Sequence, residues 1–249
     1  MMNPFRQLLQ HLRGALSGWI GPEQNPIARV WNTAVLWSWG LHVLRLASAV
    51  VVLPLLSRLP DADFGFYYLL LSIVAITPLI DFGFSASVER NVSYGMAGAT
   101  GVTARGVPEG RNADGTPNYE LLWKLVHTAR AFYRLLTILL LLFLGTVGTF
   151  IVHSKVPETS NPNLAWLAWG VAFLNAGFEV YSSWWNVVLR GMNRVVAGSR
   201  IMCLGQGLKL ALSCGLLLLG GGVVSVFAAG LVSSAVIRSL WRRSVKRVL

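Results

Sequence analysis

The chain has 249 residues, of which 54% are hydrophobic and only 12% are charged, and its mean hydropathy is +0.58. Soluble domains usually carry about 25% charged residues, so this composition excludes an ordinary soluble protein and indicates a membrane protein with several spans. The formal net charge of +11 is high enough for a nucleic-acid-binding protein. However, the basic residues fall between apolar segments and not on one patch, which argues against a nucleic-acid partner.

The first 28 residues form a segment that is distinct from the rest of the chain. They have no continuous apolar run and contain Pro22 and Pro26, so we expect neither a cleavable signal peptide nor a span there. Residues 5–20 place leucines at helical spacing with basic residues between them, which predicts an amphipathic helix lying in the membrane interface. A frayed cytoplasmic tail is the alternative.

Six apolar segments follow, and together they predict an all-α integral membrane domain over residues 29–249. A helix rises about 1.5 Å per residue and the hydrocarbon core is about 30 Å thick, so each segment is long enough to cross or nearly cross it. The predicted spans are residues 31–56, 64–88, 132–152, 164–189, 195–219 and 223–240.

Two stretches depart from this apolar pattern. Residues 98–118 are rich in Gly, Pro, Thr and Asn and have no apolar periodicity, which predicts a flexible cytoplasmic loop. Residues 121–133 mix Lys124, His127 and Arg130 with apolar side chains, which predicts an amphipathic beginning for the third span.

The basic residues also predict the orientation of the spans. Seventeen of the 21 lysines and arginines fall on one side of the predicted arrangement, whereas Arg58 and Lys155 fall on the other. By the positive-inside rule, the N- and C-termini are both cytoplasmic. Two termini on one side require an even number of spans, and six satisfies that requirement.

Two blocks of the sequence carry a family resemblance. Residues 53–90 read LPLLSRLPDADFGFYYLLLSIVAITPLIDFGFSASVER, in which a helix ends on Pro-Leu-Leu-Ser-Arg-Leu, an acidic turn contains Phe-Gly, and a second helix ends on Leu-Ile-Asp-Phe-Gly before Ser-Ala-x-x-x-Arg. Residues 189–194 read LRGMNR and precede a helix, three glycines at 220–222 and another helix. The first block resembles the opening hairpin, and the second the fifth and sixth helices, of the polysaccharide and O-antigen flippases. Those proteins belong to the superfamily of multidrug, oligosaccharidyl-lipid and polysaccharide exporters.

This resemblance implies both a fold and a function. The six spans would form one lobe of a flippase whose complete form has two lobes around a central cavity and works by alternating access. The implied activity is translocation of a polyprenyl-pyrophosphate-linked oligosaccharide across the bacterial cytoplasmic (inner) membrane, for surface polysaccharides such as the O-antigen of lipopolysaccharide. Because six spans make a single lobe, we expect a half or truncated transporter that needs a second lobe or another copy, as a homodimer or heterodimer.

The candidate site residues are the ionisable groups inside the predicted spans. An ionisable side chain in a span is costly and marks a functional site by default. Residues three or four positions apart share one face of a helix, so the polar positions of each span form a stripe, and three stripes can line one cavity. The stripes are Ser38, His42 and Arg45 in span one, Asn175, Glu179, Ser182, Asn186 and Arg190 in span four, and Gln206, Lys209 and Ser213 in span five, to which span two adds Asp81.

We assign these residues three roles. Arg45, Lys209 and His42 would form a cationic patch for the pyrophosphate of the substrate, with Asn175 and Gln206 beside it. The carboxylates would take up a proton or a sodium ion, or lock a gate; they are Asp81 and Glu179.

The charged pair Glu89 and Arg90 resembles the end of the second flippase helix and is assigned to a cytoplasmic gate. A solvated pair at the interface is the alternative for these two residues. For the whole set, the alternative is that the charges only pair with one another and hold the bundle together.

Other functions remain open at this stage. They are a multidrug or ion antiporter half, and a non-transporting membrane subunit of a glycan-assembly complex. No nucleophile and base pair indicates an enzyme, and the four histidines lie in different segments, so we expect neither a metal site nor a cofactor. Cys203 and Cys214 lie about 16 Å apart along a helix, which is too far for a disulfide.

Overall fold

The computed structural model describes residues 34–246, apart from residues 104, 105, 107, 109, 111 and 113–115. This part of the chain consists of helices and turns, with no extended strand. The interfacial helix predicted at residues 5–20 lies outside the described residues. In chain order the elements are α1 (Ala34–Leu56), α2 (Asp61–Val74), a 3-10 helix (Thr77–Asp81), α3 (Phe84–Met96), α4 (Tyr119–Phe143), a π-helical turn (Leu144–Gly148), α5 (Thr149–Lys155), a 3-10 turn (Val156–Glu158), α6 (Pro162–Gly191), α7 (Val195–Leu218) and α8 (Gly222–Lys246).

Six helical segments in the described part are long and apolar enough to cross a membrane, which confirms the prediction of an all-α, multi-pass membrane protein. Their order matches the six predicted spans. The amphipathic stretch before the third span is helical as well, since α4 begins at Tyr119. The segments are Val35–Leu56, Asp61–Asp81, Tyr119–Glu158, Pro162–Gly191, Val195–Leu218 and Gly222–Val245.

Helix α6 lies at the centre of the bundle. It packs against α8 on one side and against α4 and α3 on the other, while α7 joins α8 to α1. Ala168, Ala172 and Ala176 of α6 are fully buried and follow one another at intervals of four residues. Small residues at this spacing let neighbouring helices approach closely, which is how membrane helices gain packing energy without a hydrophobic driving force.

Helices α1 and α2 do not pack against each other as a simple hairpin. A short turn joins α1 to α2, yet α1 packs chiefly on α7. A cavity of about 330 Å³ lies between them, lined by Ser48 and Val52 of α1 and by Tyr67 and Leu71 of α2. The two helices are therefore held apart, and their shared space is partly open.

The second predicted span, residues 64–88, is interrupted in the structure. Helix α2 ends at Val74, a 3-10 helix containing Pro78 follows, and the chain then turns through Phe82 (φ 45°) and Gly83 (φ 78°). Pro78 lacks the N–H that a continuous helix needs, and the left-handed backbone at residues 82 and 83 ends the helical path. The spanning segment accordingly ends at Asp81, and α3 is a separate helix beyond it.

Part of the loop at residues 98–118 is tied to itself by backbone hydrogen bonds. The Thr100 N–H donates to the Gly110 carbonyl at 3.0 Å, and the Asn112 N–H donates to the Gly98 carbonyl at 2.8 Å. The Asn118 side chain donates to the Ala99 carbonyl and accepts from the Leu121 N–H, so it also begins α4. The flexibility predicted for this loop stays a prediction.

Gly191, the last residue of α6, lies where α6 and α3 touch, and we expect Gly191→Ala to lower stability. A Cβ at this position would lie 2.6 Å from Val92 Cβ and 2.8 Å from the backbone oxygen of Glu89. Both are parts of α3 that cannot rotate away, so α3 must shift. Overpacking of this kind costs about 1–3 kcal/mol, which should lower the midpoint of thermal unfolding in detergent micelles.

Gly170→Ala is the matched control on the same helix. No described heavy atom that could clash lies within 4 Å of a Cβ built there. Alanine is also the better helix former by about 1 kcal/mol, so this variant should be neutral or stabilising. If both variants lost the same amount of stability, the close contact with α3 would not be the reason that position 191 needs glycine.

Candidate substrate cavity

The bundle has a polar cavity of about 380 Å³, partly open at the side, that is lined by residues from the middle of the spans to one end. We call that end the basic end: α3, α6 and α8 finish there, α4 and α7 begin there, and most of the arginines and lysines of the described helices lie near it. The cavity is lined by seven of the nine residues predicted for the site, which are Arg45, Asp81, Glu89, Asn175, Glu179, Gln206 and Lys209.

Two of these residues are cations without a salt bridge. Arg45 of α1 is exposed and Lys209 of α7 is half-buried. Among the described residues, neither has a carboxylate within 4 Å. Gly230 of α8 leaves room beside Lys209, whose Cε lies 3.7 Å from the position that a Cβ would take there. The cavity therefore presents two positive charges that are not in a salt bridge within the described part of the chain, while the carboxylates of Asp81 and Glu179 line the same cavity more than 4 Å from them.

The carboxylate of Asp81 lies at the break between α2 and α3. Its Oδ1 accepts a hydrogen bond from the Tyr133 hydroxyl at 2.8 Å, and its Oδ2 accepts one from the Ser85 N–H at 3.2 Å. A carboxylate near the first turn of a helix is also stabilised by the helix dipole, here that of α3. Tyr133 of α4 is only 2% exposed, so its buried side chain holds Oδ1 of this carboxylate in place.

Thr77 begins the 3-10 helix that ends at Asp81, lines the same cavity and has an unsatisfied hydroxyl. The side chain is 7% exposed, and its Oγ1 has no hydrogen-bond partner among the described residues. A buried hydroxyl without a partner is uncommon and costs about 1–3 kcal/mol of desolvation. The interrupted helix therefore contributes an unsatisfied hydroxyl and a carboxylate to the lining of the cavity.

The two amide side chains of the site link helices through hydrogen bonds. Asn175 Oδ1 accepts from the Ser234 hydroxyl of α8 at 3.1 Å, and Gln206 Nε2 donates to the Ser48 hydroxyl of α1 at 2.9 Å. Gln206 and Lys209 line the polar cavity and also the second cavity between α1 and α2. These two residues therefore form part of the wall that separates the two cavities.

At the basic end, a salt bridge joins α3 to α6. Arg190 Nε lies 3.3 Å from Glu89 Oε1, and both side chains are partly exposed. Burial raises the pKa of Glu89 and the charge of Asp81 adds to this, while the Arg190 guanidinium opposes it. Glu89 lies beyond the spanning segment that ends at Asp81, and its carboxylate takes up a proton at a higher pH than an exposed glutamate does.

Two predicted site residues do not line the cavity. His42 is exposed, and the lining residues of α1 are its neighbour Leu41 and Arg45, one turn apart. Arg90 is exposed too, and Arg190 and not Arg90 is the salt-bridge partner of Glu89. The alternative in which the intramembrane charges pair with one another finds little support, because no salt bridge joins Arg45, Asp81, Glu179 or Lys209 within the described part.

Sequence reasoning missed all the lining residues that α8 contributes, such as Ser233 and Ser234, and it also missed Tyr133 and Thr77. Tyr133 lies among buried residues of α4, at intervals of three or four from Ala129 and Leu136. A tyrosine on an otherwise apolar helix face indicates a buried partner for its hydroxyl, and that signal was present in the sequence. Thr77 directly precedes Pro78, where a helix is expected to be disturbed.

Comparisons with known proteins do not identify the chain. No protein-family model, no curated protein and no solved structure matches it.

Proposed function

We propose that this chain is one lobe of a transporter that moves a polyprenyl-pyrophosphate-linked oligosaccharide across a bacterial cytoplasmic membrane. The observation that carries the proposal is the pair of cations, Arg45 and Lys209, that face one cavity inside an apolar bundle without an acidic partner among the described residues. Ionisable side chains inside spans face a water-filled cavity or pair with other polar groups, and unpaired ones that line a cavity mark a substrate or ion pathway.

The chemistry of the cavity fits the headgroup of such a lipid. A guanidinium and an ammonium group bind pyrophosphate oxygens through short, charge-assisted hydrogen bonds. Asn175, Gln206 and the neighbouring serine hydroxyls offer the donors and acceptors that sugar hydroxyls need. A volume of about 380 Å³ holds a pyrophosphate and the sugar next to it, and the polyprenyl chain would stay in the lipid.

The wall around Asp81 supports ion coupling within this proposal. Interrupted helices supply backbone carbonyls and carboxylates to coupling ions in many transporters. Here the interrupted segment contributes Thr77 and Asp81 to the cavity that Arg45 and Lys209 also line, and Tyr133 of α4 donates a hydrogen bond to Asp81. Proton or sodium uptake at this wall would change the charge of the cavity and so bias the release of an anionic substrate.

A second lobe forms part of the proposal. Arg45 and Glu179 line the cavity and are both exposed, so the cavity is open at the side of this bundle. Contact of these charges with acyl chains would be costly. A second six-helix lobe or another copy of the chain would cover them and complete a water-filled chamber, with the basic end facing the cytoplasm.

Two other functions compete with this one. A multidrug antiporter would bind organic cations, and Asp81 and Glu179 could attract such a substrate. The two unpaired basic side chains in the same cavity would repel it. A non-transporting subunit of a glycan-assembly complex would need no charged cavity at all. Membrane lipids and the lipid-linked oligosaccharide are the partners that the flippase proposal requires.

The proposal is tested by complementation in a bacterial strain that lacks its own flippase and accumulates lipid-linked glycan on the cytoplasmic face. The chain is expressed alone, as a tandem fusion of two copies, and together with the second lobe of a two-lobed flippase. We expect one of the two-lobed arrangements to restore surface polysaccharide and to remove the accumulated lipid-linked glycan, and the chain alone to do neither.

Two results would count against the proposal. Full activity of a proven monomer would remove the requirement for a second lobe. Continued accumulation in every arrangement, with normal amounts of protein in the membrane, would contradict the transport function.

A further inference from the structure

A second feature lies on a different face of α6 from the cavity, and this face carries apolar and aromatic side chains. Leu174, Phe178, Tyr181 and Trp185 follow one another at intervals of four, three and four, so they share one side of the helix. The next residue after each of them belongs to the polar stripe of the cavity; these residues are Asn175, Glu179, Ser182 and Asn186. One residue is about 100° of rotation, so this face points well away from the cavity wall.

Three arginines surround this face near the basic end. The Arg238 guanidinium of α8 lies 4.9 Å from the ring centres of both Phe178 and Tyr181. The charges of Arg130 and Arg134, one turn apart on α4, also act on the Tyr181 hydroxyl. We call Arg130, Arg134 and Arg238 the arginine cluster.

The arginine cluster carries uncompensated positive charge. No described carboxylate lies within 4 Å of any of the three guanidinium groups. None of the three lines the polar cavity. Arg130 and Arg134 are exposed and Arg238 is half-buried against the aromatic rings, so the cluster is accessible and held in place on one side.

An exposed apolar surface begins directly beyond the cluster. Leu135 and Leu142 of α4 are 53% and 61% exposed, and Leu174 of α6 is 59% exposed. Arg130 and Arg134 immediately precede the apolar part of α4, which places the charges at headgroup depth and the leucines among the acyl chains. A ligand for this place must carry a negative charge at one end and hydrocarbon at the other.

We propose that the arginine cluster and the leucines beyond it form a binding site for an anionic phospholipid. The phosphodiester would lie against Arg130, Arg134 and Arg238, since guanidinium groups pair with phosphate oxygens bidentately. The acyl chains would run along the exposed leucines of α4 and α6. Basic pockets between helices at the cytoplasmic side of a membrane are known to select anionic lipids in this way. The site does not depend on the transport function proposed above.

The experiment measures lipid selectivity of the purified full chain in detergent micelles. Phosphatidylglycerol and phosphatidylcholine are added in turn, and bound lipid is counted by native mass spectrometry. We expect preferential retention of phosphatidylglycerol, and a preference that falls about fivefold for each arginine replaced by glutamine at Arg130, Arg134 and Arg238. Arg58→Gln, at the other end of the bundle, is the matched control and should keep the full preference.

Two further variants keep the test independent of folding. Arg238→Lys keeps the charge and should retain most of the preference, whereas Arg238→Gln should not. Tyr181→Phe removes the hydroxyl and leaves all three charges, so its preference should change little. A loss in Arg238→Lys as large as in Arg238→Gln would overturn the role of charge at this position.

The other possible occupants give distinct outcomes. Millimolar inorganic phosphate is tested for the same protection against thermal unfolding that phosphatidylglycerol gives. Equal protection would point to a soluble anion and overturn the lipid assignment. If the arginine cluster bound an acidic protein instead, the triple arginine variant would lose that protein and keep its lipid preference. An unchanged lipid preference in the triple variant therefore overturns the proposal.

Discussion

Replacing Arg45 and Lys209 with alanine should abolish surface display of glycan in the complemented strain and leave the amount of folded protein nearly unchanged. Each cation would contribute charge-assisted hydrogen bonds to the pyrophosphate, and a hydrogen bond to a charged group is worth about 1.5–3 kcal/mol. Each single substitution should therefore lower the apparent affinity for the headgroup about tenfold to a hundredfold. Folding should be spared because no carboxylate within 4 Å in the described part loses its partner.

The controls for this experiment separate charge from packing. Arg45→Lys and Lys209→Arg keep the positive charge and should retain part of the activity, with the larger loss where a bidentate guanidinium is needed. Arg58→Ala, in the turn between α1 and α2, removes a charge that does not line the polar cavity and should have no effect. Normal glycan display in the double alanine variant, at normal expression, would favour the non-transporting subunit over the flippase.

The number and order of the spans were predictable because the membrane imposes a strong and simple constraint. A stretch of about 20 apolar residues is recognisable in any sequence. The helices from Pro162, Val195 and Gly222 begin within two residues of the predicted starts. The predicted span 64–88 runs past the break, although the phrase Leu-Ile-Asp-Phe-Gly at residues 79–83 had indicated an end of the second helix there. The 3-10 helix that follows Val74 was not predicted, because only Pro78 marks it in an otherwise apolar stretch.

The stripes were predicted only in part: all five members of the stripe on span four line the cavity, but span one contributes only Arg45 of its three, and Ser213 of span five does not line it. Seven of the nine predicted site residues do line this one cavity. Periodicity is local, so it does not reveal which helix a stripe will meet. For that reason the contact of Glu89 with Arg190, rather than with its neighbour Arg90, was not foreseen. His42 illustrates the same limit: it lies three residues from Arg45, but the cavity face of α1 is centred on Leu41 and Arg45.

The second large effect is expected at Asp81, where Asp81→Asn should remove the dependence of transport on a proton or sodium gradient. The asparagine keeps the shape of the side chain, but it has neither the charge nor a second acceptor oxygen for the Ser85 N–H. If Asp81 is the ion-binding carboxylate, the transport rate should become independent of the imposed gradient and fall at least about tenfold. The measurement compares glycan translocation in vesicles with and without each gradient.

Asp63→Asn is the matched control for Asp81→Asn. Asp63 also accepts a backbone hydrogen bond, from the Ser160 N–H at 3.0 Å, but it does not line the polar cavity. The gradient dependence should survive in this variant.

Two substitutions at the neighbours of Asp81 separate its charge from its hydrogen bonds. Tyr133→Phe removes the 2.8 Å hydrogen bond to Asp81 and keeps the carboxylate, so it should lower stability by about 1–3 kcal/mol while transport still responds to the gradient. Thr77→Val replaces a buried hydroxyl that has no partner among the described residues, so it should be neutral or stabilising for the fold. If that hydroxyl binds the coupling ion, the same variant needs a higher ion concentration for half-maximal transport. Gradient dependence that persists in Asp81→Asn would assign ion uptake to another carboxylate of the cavity, with Glu179 the next to replace.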